Sequence, residues 1–336
     1  MGGVKDAMRL DELDDFPAGL GDLPLSQIRK AFPAPTLLRI AGAKPGPLFV
    51  STLLHGNETT SFGVLQHLAR RYGAAPPPRD LMILVGNVEA AEANVRFLDG
   101  QADYNRVWCG GARPEHGFAD QVLDAARAAE PFASIDVHNN TGDNPLYGCV
   151  NVIRNADLHL AALFSPVGVY YRTPSTTQSM AFSQLCPAIT VECGRSGAPD
   201  GLAAAVDLVE GAMRLDAFPD APPDKDALRL YKTVGRMVVS ETASIGVGEA
   251  AADVRLRADL TGLNFRTTTP GEPLAAFDGP PPVRVFDEHG DDLTERFLTQ
   301  RDGAVRLASE AVPAMLTLDL AVIRQDCLGY LMTPFP

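Results

Sequence analysis

Short apolar segments alternate with helical patterns along the first two thirds of this 336-residue chain. The segments are rich in Val, Ile and Leu, which is typical of strands buried on both faces of a sheet. They cover residues 48–54, 81–88, 134–137, 148–153, 167–171 and 188–191. Helical spacing of apolar residues is found at 59–72, 117–129 and 201–215. The alternation predicts an α/β domain whose mixed sheet is sandwiched by helices.

The pattern changes after Phe218, where a segment rich in Pro and Asp at 219–226 is typical of a linker. Strand-like segments separated by glycine and proline turn signals follow, at 236–240, 254–258, 282–286, 305–308 and 315–323. We therefore expect a first domain at 1–218 and a smaller β-rich C-terminal domain at 227–336. The core of the first domain is expected at about 46–218, after a lead-in segment.

Composition and charge limit the possible partners. Hydrophobic residues make up 46% of the chain and charged residues 21%, as in ordinary globular proteins. The formal net charge of −13 argues against polyanionic partners, such as nucleic acids and anionic membranes. No apolar run approaches the roughly 18 residues that span a bilayer, and the N-terminus has no secretory-signal pattern. We expect a cytoplasmic protein that binds neither nucleic acid nor membrane, and a homo-oligomer stays open.

The first chemical motif is His55-Gly56-Asn57-Glu58, which follows the apolar segment 48–54. The carboxyl ends of strands are where open α/β sheets bind ligands. Imidazole and carboxylate are both zinc ligands, and the H-x-x-E interval lets the two side chains converge across one tight turn. Alone, the motif also fits a surface corner whose carboxylate caps the following helix.

Two further strand ends carry polar residues. Asp136 and His138 are two residues apart, so their side chains share one face of a strand, where the carboxylate can fix the tautomer of the imidazole. Glu192 directly follows the apolar segment 188–191. Burial of a carboxylate costs free energy unless the group is paired or takes part in chemistry. The alternatives are a satisfied histidine at a strand end and an exposed glutamate beyond the sheet.

Together these residues predict a catalytic zinc site. Such a site takes three protein ligands and leaves one position for water, and His55, Glu58 and His138 supply the three. We predict one Zn²⁺ per chain, with Glu192 as the general base that takes a proton from the attacking water and returns it to the leaving amine.

Arginines lie between the first two motifs, at Arg96 and in Asp103-Tyr104-Asn105-Arg106. Close to a zinc site, one guanidinium can stabilise the oxyanion that forms at an amide carbonyl, and another can hold a substrate carboxylate in a bidentate pair. By itself, this part of the sequence is typical of a solvated loop.

The order H-G-N-E, D-x-N-R, D-x-H-N and V-E-C-G closely resembles the succinylglutamate desuccinylase/aspartoacylase family, which is related to the M14 zinc carboxypeptidases. The resemblance covers roughly residues 48–215 and extends more weakly to Pro270-Gly271-Glu272-Pro273, which looks like the family's P-G-[DE]-P turn. It implies a zinc carboxypeptidase-like fold. It also implies hydrolysis of an amide bond in a small N-acyl amino acid or related carboxylate-bearing substrate.

The resemblance implies roles for individual residues. The family's metal ligands match His55, Glu58 and His138. Its general acid/base matches Glu192, and its carbonyl-polarising arginine matches Arg96. The pair that grips the α-carboxylate of the substrate matches Asn105 and Arg106.

Two positions depart from the aspartoacylase pattern. No arginine is found at 177–182, and no tyrosine is found near Ala321, although Tyr330 is not far away. These departures argue against a dedicated N-acetylaspartate hydrolase and leave the acyl group and the amine product open.

Two alternatives compete with a deacylase. One is an M14-type metallocarboxypeptidase that acts on peptides. The other is a zinc-binding or interaction protein without activity, against which Glu192, Arg96 and Arg106 argue because a structural zinc site needs none of them.

Overall fold

A computed structural model describes residues 8–336, which fall into two units. The first unit contains the chain up to Asn139 together with Leu146–Gly168 and Arg172–Arg229. The second unit contains Asn140–Pro145, Val169–Tyr171 and Leu230–Pro336. No helix in this described part of the chain has the length and apolar character needed to cross a membrane.

A mixed sheet forms the centre of the first unit. In chain order its strands are β1 (Asp11–Leu13), β2 (Thr36–Ile40), β3 (Leu48–Thr52), β4 (Leu81–Val85), β5 (Ala133–His138), β6 (Tyr147–Val150), β7 (Val167–Tyr170), which ends in the second unit, and β8 (Ala188–Glu192). Hydrogen-bonded neighbours run in the order β1-β2-β4-β3-β5-β8-β6. The β4-β3-β5-β8 portion is parallel, whereas β2 and β6 pair antiparallel with β4 and β8. The four parallel strands are buried along their whole length, as the apolar segments predict.

Helices pack against this sheet. They are α1 (Thr60–Tyr72), α2 (Val88–Ala93), α3 (Pro114–Ala129), α4 (Asn155–Phe164), α5 (Gln178–Phe182) and α6 (Pro199–Arg214), and 3₁₀ turns cover Leu20–Asp22 and Leu25–Lys30. Phe118 and Val122 of α3 share a core with Phe182 of α5 and Phe49 of β3. Helices α1 and α6 contact each other and both contact β3 and β5. The predicted α/β class with a mixed sheet is confirmed.

The sequence patterns locate most of the sheet but miss its first edge. The six predicted strands overlap β3 to β8, and the three predicted helices overlap α1, α3 and α6. Strand β2 lies in the expected lead-in and pairs antiparallel with β4. Its five residues between Pro35 and Gly42 are too short a segment to stand out, and the same holds for the short helices α2 and α5.

The second unit is rich in strands. They are β9 (Arg229–Val239), which begins at the last residue of the first unit, β10 (Ile245–Val247), β11 (Val254–Leu256), β12 (Pro273–Phe277), β13 (Val283–Phe286), β14 (Leu298–Arg301), β15 (Ala304–Leu307), β16 (Val312–Ala314) and β17 (Gly329–Pro334). Five of them form a sheet in the order β10-β11-β12-β15-β14, and β9 pairs antiparallel with β13 and β17. Buried Leu256, Leu274 and Val305 belong to one apolar core. The predicted β-rich region is confirmed.

One predicted strand in this unit is wrong. The sequence predicts an extended segment at residues 315–323, but α8 (Leu320–Gln325) begins within it. The other helical elements of this unit are the short helix α7 (Thr294–Phe297) and a 3₁₀ turn at Leu260–Leu263. The side chain of Asp319 accepts hydrogen bonds from the N–H groups of Ala321 and Val322, which caps the helix. An aspartate before an apolar run is a helix-start signal that the strand interpretation overlooked.

A buried carboxylate, paired with a partly exposed arginine, joins α4 to the start of β8. The fully buried Asp157 carboxylate accepts hydrogen bonds from Arg154 Nε at 2.6 Å and Nη2 at 2.9 Å. It also accepts the Ala188 N–H at 3.1 Å, while Arg154 Nη2 donates to the carbonyl oxygen of Cys186 at 2.8 Å. This network connects α4 to the strand whose other end carries Glu192.

Replacing this buried carboxylate should destabilise the protein. We expect Asp157→Ala to lower the free energy of unfolding by about 2–3 kcal/mol, because it leaves the buried Ala188 N–H and the partly buried Arg154 guanidinium without their acceptor. Urea denaturation measures the change. The control is Asp124→Ala, which breaks an exposed Asp–Arg pair of the same three-residue spacing, with Arg127 at 2.7 Å, and should change stability by at most about 0.5 kcal/mol. Equal losses for both variants would contradict the prediction.

Candidate functional site

Three neighbouring parallel strands deliver polar side chains to one edge of the first unit's sheet. His138 is the last residue of β5 and Glu192 the last residue of β8, and the two are directly paired in the β5–β8 register. His55 follows the end of β3, the neighbour of β5 on the other side. The structure therefore brings the predicted strand-end residues together at the carboxyl edge, where parallel sheets bind ligands.

Glu58 connects the two histidines. Its Oε1 lies 2.7 Å from His55 Nδ1, and its Oε2 lies 2.7 Å from His138 Nδ1. All three side chains are buried, and one ligand atom from each lies within 4.8 Å of the others. The three predicted metal ligands thus form one cluster.

The outer nitrogen of each imidazole also faces a carboxylate. His55 Nε2 lies 2.9 Å from Asp103 Oδ1, and His138 Nε2 lies 2.8 Å from Asp136 Oδ2. A neutral imidazole has one N–H, so it can donate to only one of its two carboxylates. The second nitrogen of each ring then needs a cation beside it, either a proton or a metal ion. Two imidazole nitrogens and a carboxylate are donors that suit zinc.

Electrostatics at the cluster favour its charged forms. Burial alone would raise the pKa of Glu58, but the charges of His55 and His138 and hydrogen bonds from both rings lower it well below its usual value. Burial would lower the pKa of His138, but Asp136 and Glu58 raise it well above the ordinary histidine value. The anionic carboxylates therefore stabilise positive charge at the position between them.

Arg96 is bound to the same cluster through Asp103. The guanidinium donates to Asp103 Oδ2 from Nη2 at 2.9 Å and from Nε at 3.2 Å, and its Nη1 lies 3.7 Å from Glu58 Oε1. Burial opposes ionisation of Asp103, but His55 and Arg96 hold the pKa of this carboxyl well below its usual range. Sequence reasoning assigned no role to Asp103, although it opens the D-x-N-R motif.

Asn105 and Arg106 lie next to this network. The Asn105 Oδ1 accepts the N–H of Gln178 at 2.9 Å, which leaves its Nδ2 3.1 Å from His138 Nε2. Arg106 is half-buried, and its Nη1 donates to the carbonyl oxygen of Asn105 at 3.0 Å. Both predicted substrate-binding residues are thus adjacent to the histidine cluster.

The loop after Glu192 is hydrogen-bonded to the segments that carry the predicted metal ligands. Asn139 Nδ2 donates to the carbonyl oxygen of Gly194 at 2.9 Å, and its Oδ1 accepts the N–H of Thr60 at 3.1 Å. The N–H of Asn139 donates to Glu58 Oε2 at 3.0 Å. Asn139 therefore holds together the segments that carry Glu58, His138 and Glu192. Its place beside His138 in D-x-H-N is the sequence signal that could have identified it.

The comparisons with known proteins agree with this arrangement. Residues 46–206 match the family described as the succinylglutamate desuccinylase/aspartoacylase catalytic domain. This region of the chain is therefore similar to the catalytic domain of that family. The succinylglutamate desuccinylase of Pseudomonas paraeruginosa is 26% identical over 258 residues, which cover 68% of this chain and 73% of that protein. The predicted resemblance to this family is confirmed, and it supports an amidohydrolase.

Solved structures share the fold of this chain. The succinylglutamate desuccinylase of Chromobacterium violaceum has a TM-score of 0.58 at 17% identity and covers 88% of this chain and 86% of its own. Murine aminoacylase 3 has a TM-score of 0.55 at 16% identity, with coverage of 88% and 97%. At these identities the likeness concerns the fold.

Gly56 permits a close approach of α2 to the loop that carries His55 and Glu58. A Cβ atom at this position would lie 2.2 Å from the carbonyl carbon of Ala90 and 2.3 Å from the amide nitrogen of Ala91. The N–H of Gly56 also donates to the carbonyl oxygen of Arg96 at 3.1 Å. A side chain here would push α2 and the Arg96 segment away from His55.

Substitution of this glycine should disturb both stability and the site. We expect Gly56→Ala to lower the free energy of unfolding by about 1–3 kcal/mol through overpacking, with weaker metal binding. Urea denaturation and metal titration measure the two effects. Gly211→Ala in α6 is the control, because a Cβ there meets nothing within 4 Å and alanine favours a helix. A Gly56→Ala protein as stable as the parent would contradict the packing argument.

Proposed function

We propose that the chain is a zinc-dependent deacylase that hydrolyses the amide bond of a small N-acyl amino acid. The observation that carries the proposal is the convergence of His55, Glu58 and His138, with Glu192 beside His138 on the adjacent strand. The names of the relatives, a succinylglutamate desuccinylase and an aminoacylase, favour N-acyl amino acids as the substrate class.

His55, Glu58 and His138 would hold one zinc ion per chain. With zinc bound, Asp103 and Asp136 would accept hydrogen bonds from the Nε2–H groups of the two histidines, which would leave each Nδ1 lone pair for the metal. Zinc bound there supplies Lewis acidity toward an amide carbonyl and toward water. Three protein ligands leave a coordination position open, as in catalytic rather than structural zinc sites.

Glu192 would act as the general base and then as the general acid. Its carboxylate is buried at the end of β8, next to His138 in the strand register. From there it would accept a proton from the attacking water and deliver it to the nitrogen of the leaving amine.

Arg96 would stabilise the oxyanion that develops on the amide carbonyl. Asp103 holds the Nε and Nη2 side of the guanidinium, so that this group is oriented before the substrate binds. Asn105 and Arg106 would bind the α-carboxylate of the substrate, for which a planar guanidinium is suited. These roles imply a small substrate that carries at least an α-carboxylate.

Two glutamates at the site should respond differently to the same substitution. We expect Glu192→Gln to retain zinc but to lower kcat by roughly 10²- to 10⁴-fold, because proton transfer is lost. Glu58→Gln should lose zinc and activity together, because a ligand is removed. Zinc content by atomic spectroscopy and turnover of the parent substrate measure both. An active Glu192→Gln enzyme would disprove the assignment of the base.

A substrate panel should identify the reaction. The zinc-loaded protein is assayed against N-acetyl and N-succinyl amino acids, their carboxyl-amide counterparts, and dipeptides. We expect an N-acyl amino acid to react fastest, its carboxyl-amide counterpart to react poorly, and a chelator to abolish turnover until zinc is restored. Faster cleavage of dipeptides would support the carboxypeptidase alternative instead.

A further inference from the structure

Ser51 lies in the middle of the sheet, directly beside the histidine cluster. It belongs to β3, every residue of which is buried, and it is fully shielded from solvent. Strands β3 and β5 are parallel, and Ser51 is paired with Asp136 in their register. Paired residues on neighbouring strands point to the same face of the sheet. The Ser51 hydroxyl accordingly donates to Asp136 Oδ1 at 2.5 Å.

The two carboxylates that hold the histidine rings differ in their other partners. Asp103, which holds His55, also binds the guanidinium of Arg96 and the N–H of Asn105. Asp136, which holds His138, is completely buried. Within residues 8–336, the hydrogen-bond partners of its side chain are the His138 ring and the Ser51 hydroxyl. The orientation of the Asp136 carboxylate therefore depends on this serine.

We propose that Ser51 is a positioning residue for the metal site. This inference rests on the proposed zinc site at His55, Glu58 and His138. The Ser51 hydroxyl fixes the rotation of the Asp136 carboxylate, whose Oδ2 then receives the His138 Nε2–H. The plane of the His138 ring is thereby set, and its Nδ1 points to the ion. Ser51 touches neither substrate nor metal and acts through Asp136.

Neighbouring hydroxyls distinguish this role from ordinary filling of the core. The hydroxyl of the next residue, Thr52, donates to the carbonyl oxygen of Leu84 at 2.8 Å, so its hydrogen-bond partner is a backbone group. Ser134 is as deeply buried as Ser51 and lies on β5 itself, but its hydroxyl accepts a hydrogen bond from Gln178 Nε2 at 3.0 Å. Ser51 is the one of these three hydroxyls that binds a carboxylate in contact with a metal-binding imidazole. Ser134 is therefore a matched control.

The test measures the zinc dissociation constant of the full chain by competition with a chromophoric chelator, in the absence of substrate. Loss of a partner of a metal ligand weakens binding by roughly 10- to 100-fold, and we expect Ser51→Ala to weaken zinc binding about tenfold, with Ser134→Ala within about threefold of the parent. Ser51→Thr keeps the hydroxyl and should retain most of the affinity. In the Co²⁺-loaded proteins, Ser51→Ala should shift the visible absorption bands, which report ligand geometry, and Ser134→Ala should not.

A double-mutant cycle tests whether Ser51 acts through Asp136. In an Asp136→Asn background, Ser51→Ala should cause little further loss of zinc affinity, because the carboxylate it positions has been removed. Thermal unfolding of the metal-free proteins checks that each variant folds. If Ser51→Ala does not fold, Ser51→Cys replaces it, since a thiol has similar size but is a weak donor, and it should weaken zinc binding as well.

Three results would overturn the inference. They are unchanged zinc affinity in the folded Ser51 variant, equal losses in the Ser134 control, and a full additional loss in the Asp136→Asn background. Failure of the proposed function is seen separately, in a parent protein that binds zinc but hydrolyses no N-acyl amino acid. That result would leave the affinity comparison intact. A parent protein that binds no zinc would overturn both proposals.

Discussion

The carboxylate of Glu58 contacts two imidazoles at once, and the arrangement of the site depends on that bridge. His55 follows β3 and His138 ends β5, and the two are 83 positions apart, yet each places Nδ1 at 2.7 Å from one oxygen of the same side chain. Parallel pairing of β3 with β5 and of β5 with β8 brings the strand ends to one edge. Asp103 and Asp136 then approach the rings from outside, so that carboxylates surround both histidines.

The residues at strand ends could be predicted from the sequence, because a polar side chain directly after a buried apolar strand lies at the carboxyl edge of the sheet, where the ends of parallel strands meet. His138 and Glu192 are of this kind, and the family resemblance added roles for Arg96 and Asn105. The partners of these residues are harder to predict. The contact between Ser51 and Asp136 depends on the register of two strands, and register follows from the packing of the whole sheet.

The errors have physical reasons of the same type. Strand β2 is stabilised by its pairing with β4, and this pairing cannot be predicted from the five residues of β2 alone. In the second unit, residues 320–325 have an apolar composition that suits a strand, but the cap from Asp319 supplies acceptors to the first N–H groups of a helix. Local hydrogen bonding outweighed β propensity there, whereas distant pairing outweighed a weak local signal in β2.

Asn139 has a consequence for how a metal ion would be taken up. Its hydrogen bonds to Thr60, to Gly194 and to Glu58 join the three segments that carry the proposed metal ligands and the proposed base. Folding of the polypeptide therefore already orders these segments, and little further chain entropy would be lost when an ion binds. In contrast to zinc fingers, which are unfolded without metal, a domain of this kind would be able to exchange a bound ion while the polypeptide keeps its shape. Occupancy would then follow the supply of metal in its surroundings, independently of synthesis of the chain.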